Sequence, residues 1–214
     1  MAYGEGLRQL NPLSPELIAE ALAALCPPDG AVVDIGCGRG ATLDWLRAHS
    51  DYNLRGVEAD PDYAVACGAL TGRAEALPLA DDSCDAALME CVFSLLDDPA
   101  AAASELLRVL RPGGVLLLSD LYGRRGGAEL TESTLLRHIY TEDELRGLWQ
   151  QAGFDCLSFT DHTFEMQTLL AQMIMDGIAC DCCEPANRAL LKQVKAGYGL
   201  WVFRSRKGED DARI

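Results

Sequence analysis

From residue 14 onward the chain alternates between two hydrophobic rhythms. In "SPELIAEALAAL", "ATLDWLRAH", "DPAAAASELLRVL" and "TEDELRGLWQQAGF" apolar residues recur at the spacing of an amphipathic helix. "AVVDIG", "NLRGVEAD" and "VLLLSD" are short apolar runs of the kind that form buried strands. The helix ends are marked too. Ser14 stands where an N-cap belongs, with Pro15 at the first helical position and Glu16 in the first turn, so a helix is predicted over about 15–25, stopped by "CPPDG". Thr141 and Glu144 have the spacing of a capping box, and Gly153 follows the last turn of the helix they open.

In order, the pattern predicts a strand at 31–36, a helix at 41–49, a strand at 53–60 and a helix from Pro61. A strand at about 85–89, a helix ending at "RPGG", a strand at 115–120, the capped helix, and strands in "DCLSFTDH" and "GLWVFRSRK" follow. This alternation predicts an α/β fold, a Rossmann-like, doubly wound and mostly parallel sheet with helices on both faces. Two stretches fall outside it: residues 1–13 have no strong period, and 164–197 insert helical sequence before the last strand.

Composition narrows the partners. The 214 residues, 49% hydrophobic and 24% charged, hold enough apolar material for one core, so residues 1–208 are expected to form a single domain with a frayed tail at 209–214. A net charge of −15 sets up a field that repels phosphate backbones and anionic membranes, so a small molecule is the expected partner, with no nucleic acid and no membrane. No apolar run approaches the roughly 20 residues of a membrane span, and the N-terminus lacks a basic stretch leading into an apolar one, so a cytoplasmic location is expected. Nine cysteines, an odd number scattered through a chain that needs no staples, read mostly as reduced thiols.

The candidate chemistry begins at "DIGCGRGA". Gly36, Gly38 and Gly40 follow a strand and open a helix, which lets backbone N–H groups and the helix N-terminus approach a ligand with no Cβ in the way. Gly36, Gly38 and Ala41 also satisfy the dinucleotide spacing G-x-G-x-x-A, and Glu58 lies where a ribose-binding acid is expected. The glycines alone therefore leave the ligand open. Asp34, inside the strand, argues for a ligand with an ammonium group, because an unpaired buried carboxylate costs several kcal/mol.

Four segments in order resemble the class I S-adenosylmethionine-dependent methyltransferases, in particular the methyltransferase type 11 group. These are "VVDIGCGRG", "GVEADPDY", "AEALPLADDSCDAALMECVFSLLDDP" and "LLRVLRPGGVLLLSDLY", over about residues 31–122. The resemblance implies a seven-stranded sheet, S-adenosyl-L-methionine as cofactor, and a lid over a small-molecule substrate formed by 1–13 and 164–197. It implies that Asp34 and the backbone of Gly36, Cys37 and Gly38 face the methionine part and that Glu58 accepts the ribose hydroxyls. Ala59, Asp60 and Pro61 would lie beside the adenine, with Ala74 and Glu75 on its edge. Glu90 would close the cofactor pocket and face the substrate. Arg73 departs from the family, which commonly has an Asp there to accept from the adenine amino group; arginine has only donors.

Methyl transfer from a sulfonium asks mainly for alignment and exclusion of water, so a general base is optional, and its candidates are Glu90, His138, Tyr140 and His162. An isolated histidine is more often a packing residue than a base. Cys180, Cys182 and Cys183 in "ACDCCEP" leave a soft-metal or redox role open but lack the paired spacing of a structural zinc site, so no metal is assigned. Two other readings stand beside the enzyme: a non-catalytic S-adenosylmethionine-binding regulator or partner subunit, and an NAD-dependent oxidoreductase, disfavoured by Asp34 and by the lack of a Tyr-x-x-x-Lys pair.

Overall fold

The computed structural model describes residues 11–129, 136–177 and 185–208. The local signals act where they stand. The Ser14 hydroxyl accepts from the Leu17 amide and caps α1 (Pro15–Ala23). Gly40, left-handed at φ 80°, leads into α2 (Ala41–His49). Asp60 accepts from the amides of Asp62 and Tyr63 and caps α3 (Pro61–Cys67), and Asp98 caps α4 (Pro99–Val109). Thr141 and Glu144 form the reciprocal capping box of α5 (Glu142–Gln151).

The strands are β1 (Ala31–Ile35), β2 (Asn53–Glu58), β3 (Leu70–Thr71), β4 (Cys84–Glu90), β5 (Leu110–Gly123), β6 (Ala128–Glu129), β7 (His138–Ile139), β8 (Phe154–Asp161) and β9 (Ala196–Ser205). Seven join one sheet in the order β3-β2-β1-β4-β5-β9-β8; β6 and β7 make a separate antiparallel pair. The first five are mutually parallel, and β9 runs antiparallel to both β5 and β8. Between β8 and β9 lie α6 (Thr163–Met175) and α7 (Pro185–Gln193), so the described part of the insertion predicted over 164–197 is mainly helical, and its end from Ala196 already belongs to β9. The cysteines at 180, 182 and 183, most of the N-terminal segment and the tail at 209–214 lie outside the described residues.

Side chains alternate across the sheet and divide the core in two. Val33 and Ile35 of β1, Ala87 and Met89 of β4, and Leu116 and Leu118 of β5 pack with α4 and α5 on one face. Val32, Ala86, Leu88, Val115 and Leu117 pack with α1, α2 and Met166 of α6 on the other. β3 was not predicted: two residues carry no readable period, and only pairing with Val57 and Glu58 makes them a strand. The "RPGG" segment is a bulge rather than a turn into the strand. Leu110 already pairs with Cys84, and the ladder resumes at Ala86 and Val115. Among the described residues no helix is long and apolar enough to cross a membrane.

Candidate functional site

The register of the central strands brings the candidate acids together. Asp34 pairs with Gly56 on one side and Leu88 on the other. Because side chains alternate with period two, Asp34, Glu58 and Glu90 therefore project from the same face of neighbouring strands, at their carboxyl ends. Ser119 pairs with Glu90 across β4 and β5 and with Leu200 across β5 and β9, which carries the row on to Tyr198. Three carboxylates, a serine and a tyrosine thus line one edge of a sheet whose flanking face is otherwise apolar.

The glycine loop turns over this edge. Gly36, Gly38 and Gly40 are all left-handed, at φ 70°, 55° and 80°. A methyl group on Gly36 would stand 2.3 Å from Val92 Cγ2, whereas one on Gly38 would meet nothing within 4 Å. Open space above a left-handed glycine is what a backbone needs to approach a ligand. The Gly38 and Asp60 amides donate to opposite oxygens of Glu58, at 2.8 and 2.9 Å, and fix that carboxylate. Cys37 packs beneath the loop into the space left by the missing side chain of Gly56, and its Sγ lies 3.8 Å from Cys67 Sγ.

The electrostatics are one-sided. Asp34 is 3% exposed, and its carboxyl is held well above the usual range by burial and by the negative charges of Glu90 and Glu58. Glu90 is raised by burial, partly offset by hydrogen bonds from the Thr42 hydroxyl and the Asn11 amide. Among the described residues no lysine, arginine or histidine forms an ion pair with Asp34, Glu58 or Glu90. The arrangement can accept hydrogen bonds from a diol at Glu58 and can lower its energy by taking up a cation beside Asp34 and Glu90.

The remaining predicted residues are more dispersed. Ala59 is exposed next to Glu58, and the Asp60 carboxylate is spent on capping α3. Ala74 is buried, and Glu75 accepts from Arg73 at 3.1 Å and from the Asp97 amide at 3.2 Å. Arg73 and Arg137 both reach Asp97, so Arg73 belongs to a surface ion-pair network. Of the proposed bases only Glu90 joins the carboxylate row. His138 stacks on Tyr140, which packs against Phe93 with ring centres 5.7 Å apart. His162 is buried at the start of α6, where its Nδ1 lies 3.5 Å from Glu165 and makes no hydrogen bond among the described residues.

Sequence reasoning missed the polar end of the row. The Tyr198 hydroxyl donates to Ser119 Oγ at 2.9 Å and lies 3.0 Å from Cys91 Sγ. Asn11 bridges the two halves, its amide on Glu90 and its carbonyl 3.4 Å from Tyr198. Cys91, directly after Glu90, has φ 57°, an uncommon conformation for a residue with a side chain. One signal was available: a methyl group on either glycine of "GYG" would lie within 2.6 Å of an aromatic ring, Tyr122 for Gly197 and Phe159 for Gly199. Such flanking glycines in a strand mark close packing.

Comparison with known proteins agrees with this geometry. The methyltransferase-domain family profile matches residues 33–118, the stretch that carries the glycine loop, Glu58 and Glu90. An uncharacterized methyltransferase of Mycobacterium bovis is 41% identical over 118 residues, 49% of this chain and 45% of that protein. The chain thus matches rather less than half the length of that relative. Among solved structures, the [4+2]-cyclase SpnF superposes with a TM-score of 0.71 at 20% identity, covering 90% of this chain and 82% of that one. A geranyl diphosphate C-methyltransferase of Streptomyces coelicolor, solved with S-adenosyl-L-homocysteine, gives 0.71 at 15% identity, covering 89% and 76%. The fold is that of the class I methyltransferases, and residues 33–118 match the methyltransferase-domain family.

Proposed function

We propose that the chain is an S-adenosyl-L-methionine-dependent methyltransferase that acts on a small molecule. The observation that carries the reading is the row of Asp34, Glu58 and Glu90 around an open glycine loop, with no cationic partner among the described residues. A ligand with an ammonium, a sulfonium and a ribose diol matches this chemistry point by point. A dinucleotide does not, because its pyrophosphate would add negative charge beside three carboxylates.

In this reading Asp34 holds the ammonium, the Gly36–Gly38 backbone lies along the methionine part, and Glu58, already oriented by two backbone amides, takes the ribose hydroxyls. The cofactor supplies a methyl group already activated by its sulfonium. The chain's own part is positioning and exclusion of water. Glu90, tethered by Asn11, sits between cofactor and acceptor, and α6 and α7 cover the acceptor. The Asp120 carboxylate, pushed up to about 6 by burial, is occupied by the amides of Ser94 and Leu121 and serves as a structural acceptor.

The test is calorimetric titration of the reduced protein with S-adenosylmethionine and S-adenosylhomocysteine, with Glu58→Ala alongside. Saturable binding weakened about tenfold or more by the substitution, ~1.4 kcal/mol, is expected. No binding by the intact chain refutes the reading. Methyl transfer itself is read from product, since a fold shared with a cyclase does not fix the reaction.

A further inference from the structure

Beside the carboxylate row, beneath α6 and α7, lies a cavity of about 360 Å³. Its floor is Cys91 and Tyr198, and its walls are mainly Leu121, Met166, Leu170 and Met173. Gln167 is the other polar side chain of the lining, and the lining contains no charged side chain. The volume falls within the range of small-molecule pockets. Cavity and row share a boundary: Cys91 follows Glu90, Pro12 follows Asn11, and Asn11 contacts both Glu90 and Tyr198.

We propose that this cavity takes the methyl acceptor, and that the acceptor is an uncharged, largely apolar small molecule whose reactive end lies at Cys91 and Tyr198. The proposal rests on the methyltransferase reading above. Three observations carry it. First, a charge placed among these walls would be buried with no partner, which costs several kcal/mol. An anion would also face the Glu90 side and a chain of net charge −15, with no lining arginine or lysine to meet it. Second, two of the three polar side chains of the lining are gathered at one end, where the Tyr198 hydroxyl and the Cys91 thiol border the Glu90 side. Cys91 reaches that position only through its left-handed backbone, a conformation that persists where its surroundings hold it. Third, the cover's inner face is apolar, and part of its outer face is too. Of the six exposed large apolar side chains among the described residues, Phe164, Ile174 and Met175 lie on α6. Thioether-rich walls such as Met166 and Met173 adapt to an apolar guest of irregular shape.

The experiment uses the full reduced chain and the neutral dye Nile red, followed by fluorescence, with 1-naphthol and 1-naphthoate as competitors of like size and different charge. Saturable dye binding, displaced by 1-naphthol at least about tenfold more effectively than by 1-naphthoate, is expected. Leu170→Lys, which charges a wall, and Leu170→Trp, which fills the cavity, should each weaken the dye about tenfold and leave S-adenosylhomocysteine affinity within about twofold. Phe164→Ser, on the outside of the cover, should change neither. Equal displacement by 1-naphthoate overturns the proposal. So does loss of dye binding in Phe164→Ser with retention in both Leu170 variants, or the absence of saturable dye binding in a chain that binds S-adenosylhomocysteine. Expected dye behaviour in a chain that binds neither cofactor form overturns the acceptor role together with the methyltransferase reading. That pattern separates failure of the reading from failure of the cavity assignment.

Discussion

Gly38→Ala separates the ligand role of the glycine loop from its folding role. The native φ is 55°, where an L side chain costs about 1–2 kcal/mol. No atom within 4 Å would be struck by the added methyl, so this conformational strain is the main folding cost. For a chain of this size each kcal/mol lowers Tm by roughly 2–4 °C, so a fall of about 2–8 °C is expected. Gly113→Ala is the matched control, with φ 73° and equally open surroundings, but on the exposed bulge far from the carboxylate row. It should lose a similar amount of stability. Cofactor affinity should part the two. At Gly38 the methyl enters the space over the loop where the ligand backbone would pass, and overpacking of about 1–3 kcal/mol corresponds to roughly 5- to 150-fold in Kd. Gly113→Ala should stay within about twofold. Thermal melts followed by calorimetry with S-adenosylmethionine give both numbers. If Gly38→Ala binds the cofactor as well as Gly113→Ala does, the loop is only a turn and the argument from its geometry is wrong.

Two further outcomes follow from the buried acids. Asp34, Glu90 and Asp120 have folded pKa values above the ordinary carboxylate value, Asp120 at about 6. The folded state therefore holds more protons than the unfolded one between about pH 4 and 6, and stability falls as pH rises through that window. The acids lowered by ion pairs or caps, such as Asp85 and Glu105, are ionised in both states above about pH 5 and add no opposing slope there. Ligand-free Tm should thus drop by several degrees from about pH 5 to 7, as Asp120 passes its value of about 6, and a flat or rising Tm across that interval would contradict the raised carboxyls of these buried acids. Asp34→Asn removes one of these raised acids at nearly constant shape. It should raise the ligand-free Tm at about pH 7 by a few degrees and weaken S-adenosylmethionine by at least about tenfold. An unchanged Kd would show that Asp34 does not hold the ammonium.

The legible parts of the sequence were those that act within a few residues. Ser14 and the Thr141–Glu144 pair cap helices as their positions predict, because a cap needs only the side chain and the next turn. Gly36, Gly38 and Gly40 are left-handed because the strand-to-helix turn must be tight and open. The alternation of buried runs and amphipathic segments likewise suffices for a mostly parallel sheet covered by helices.

Pairing between distant segments decided the rest. Leu70–Thr71 becomes a strand only beside β2, and Leu110 only by pairing with Cys84 around a bulge. Asp34, Glu58 and Glu90 are separated along the chain by two helix-containing crossovers, and register alone puts all three on one face. Their shared field, which raises Asp34, therefore exists only in the folded chain. Tyr198 and Asn11 lie near opposite ends of the chain and meet at Glu90 and Ser119, a contact that no local pattern encodes. Conversely His138, Tyr140 and His162, which residue type alone made eligible as bases, are turned by packing to other neighbours. The sequence by itself determined most of the helices and central strands and the glycine loop, because these depend on local backbone preference and hydrophobic period. The tertiary structure decided which polar groups share a site and which apolar walls adjoin them, because that depends on strand register and on contacts between residues far apart in the chain.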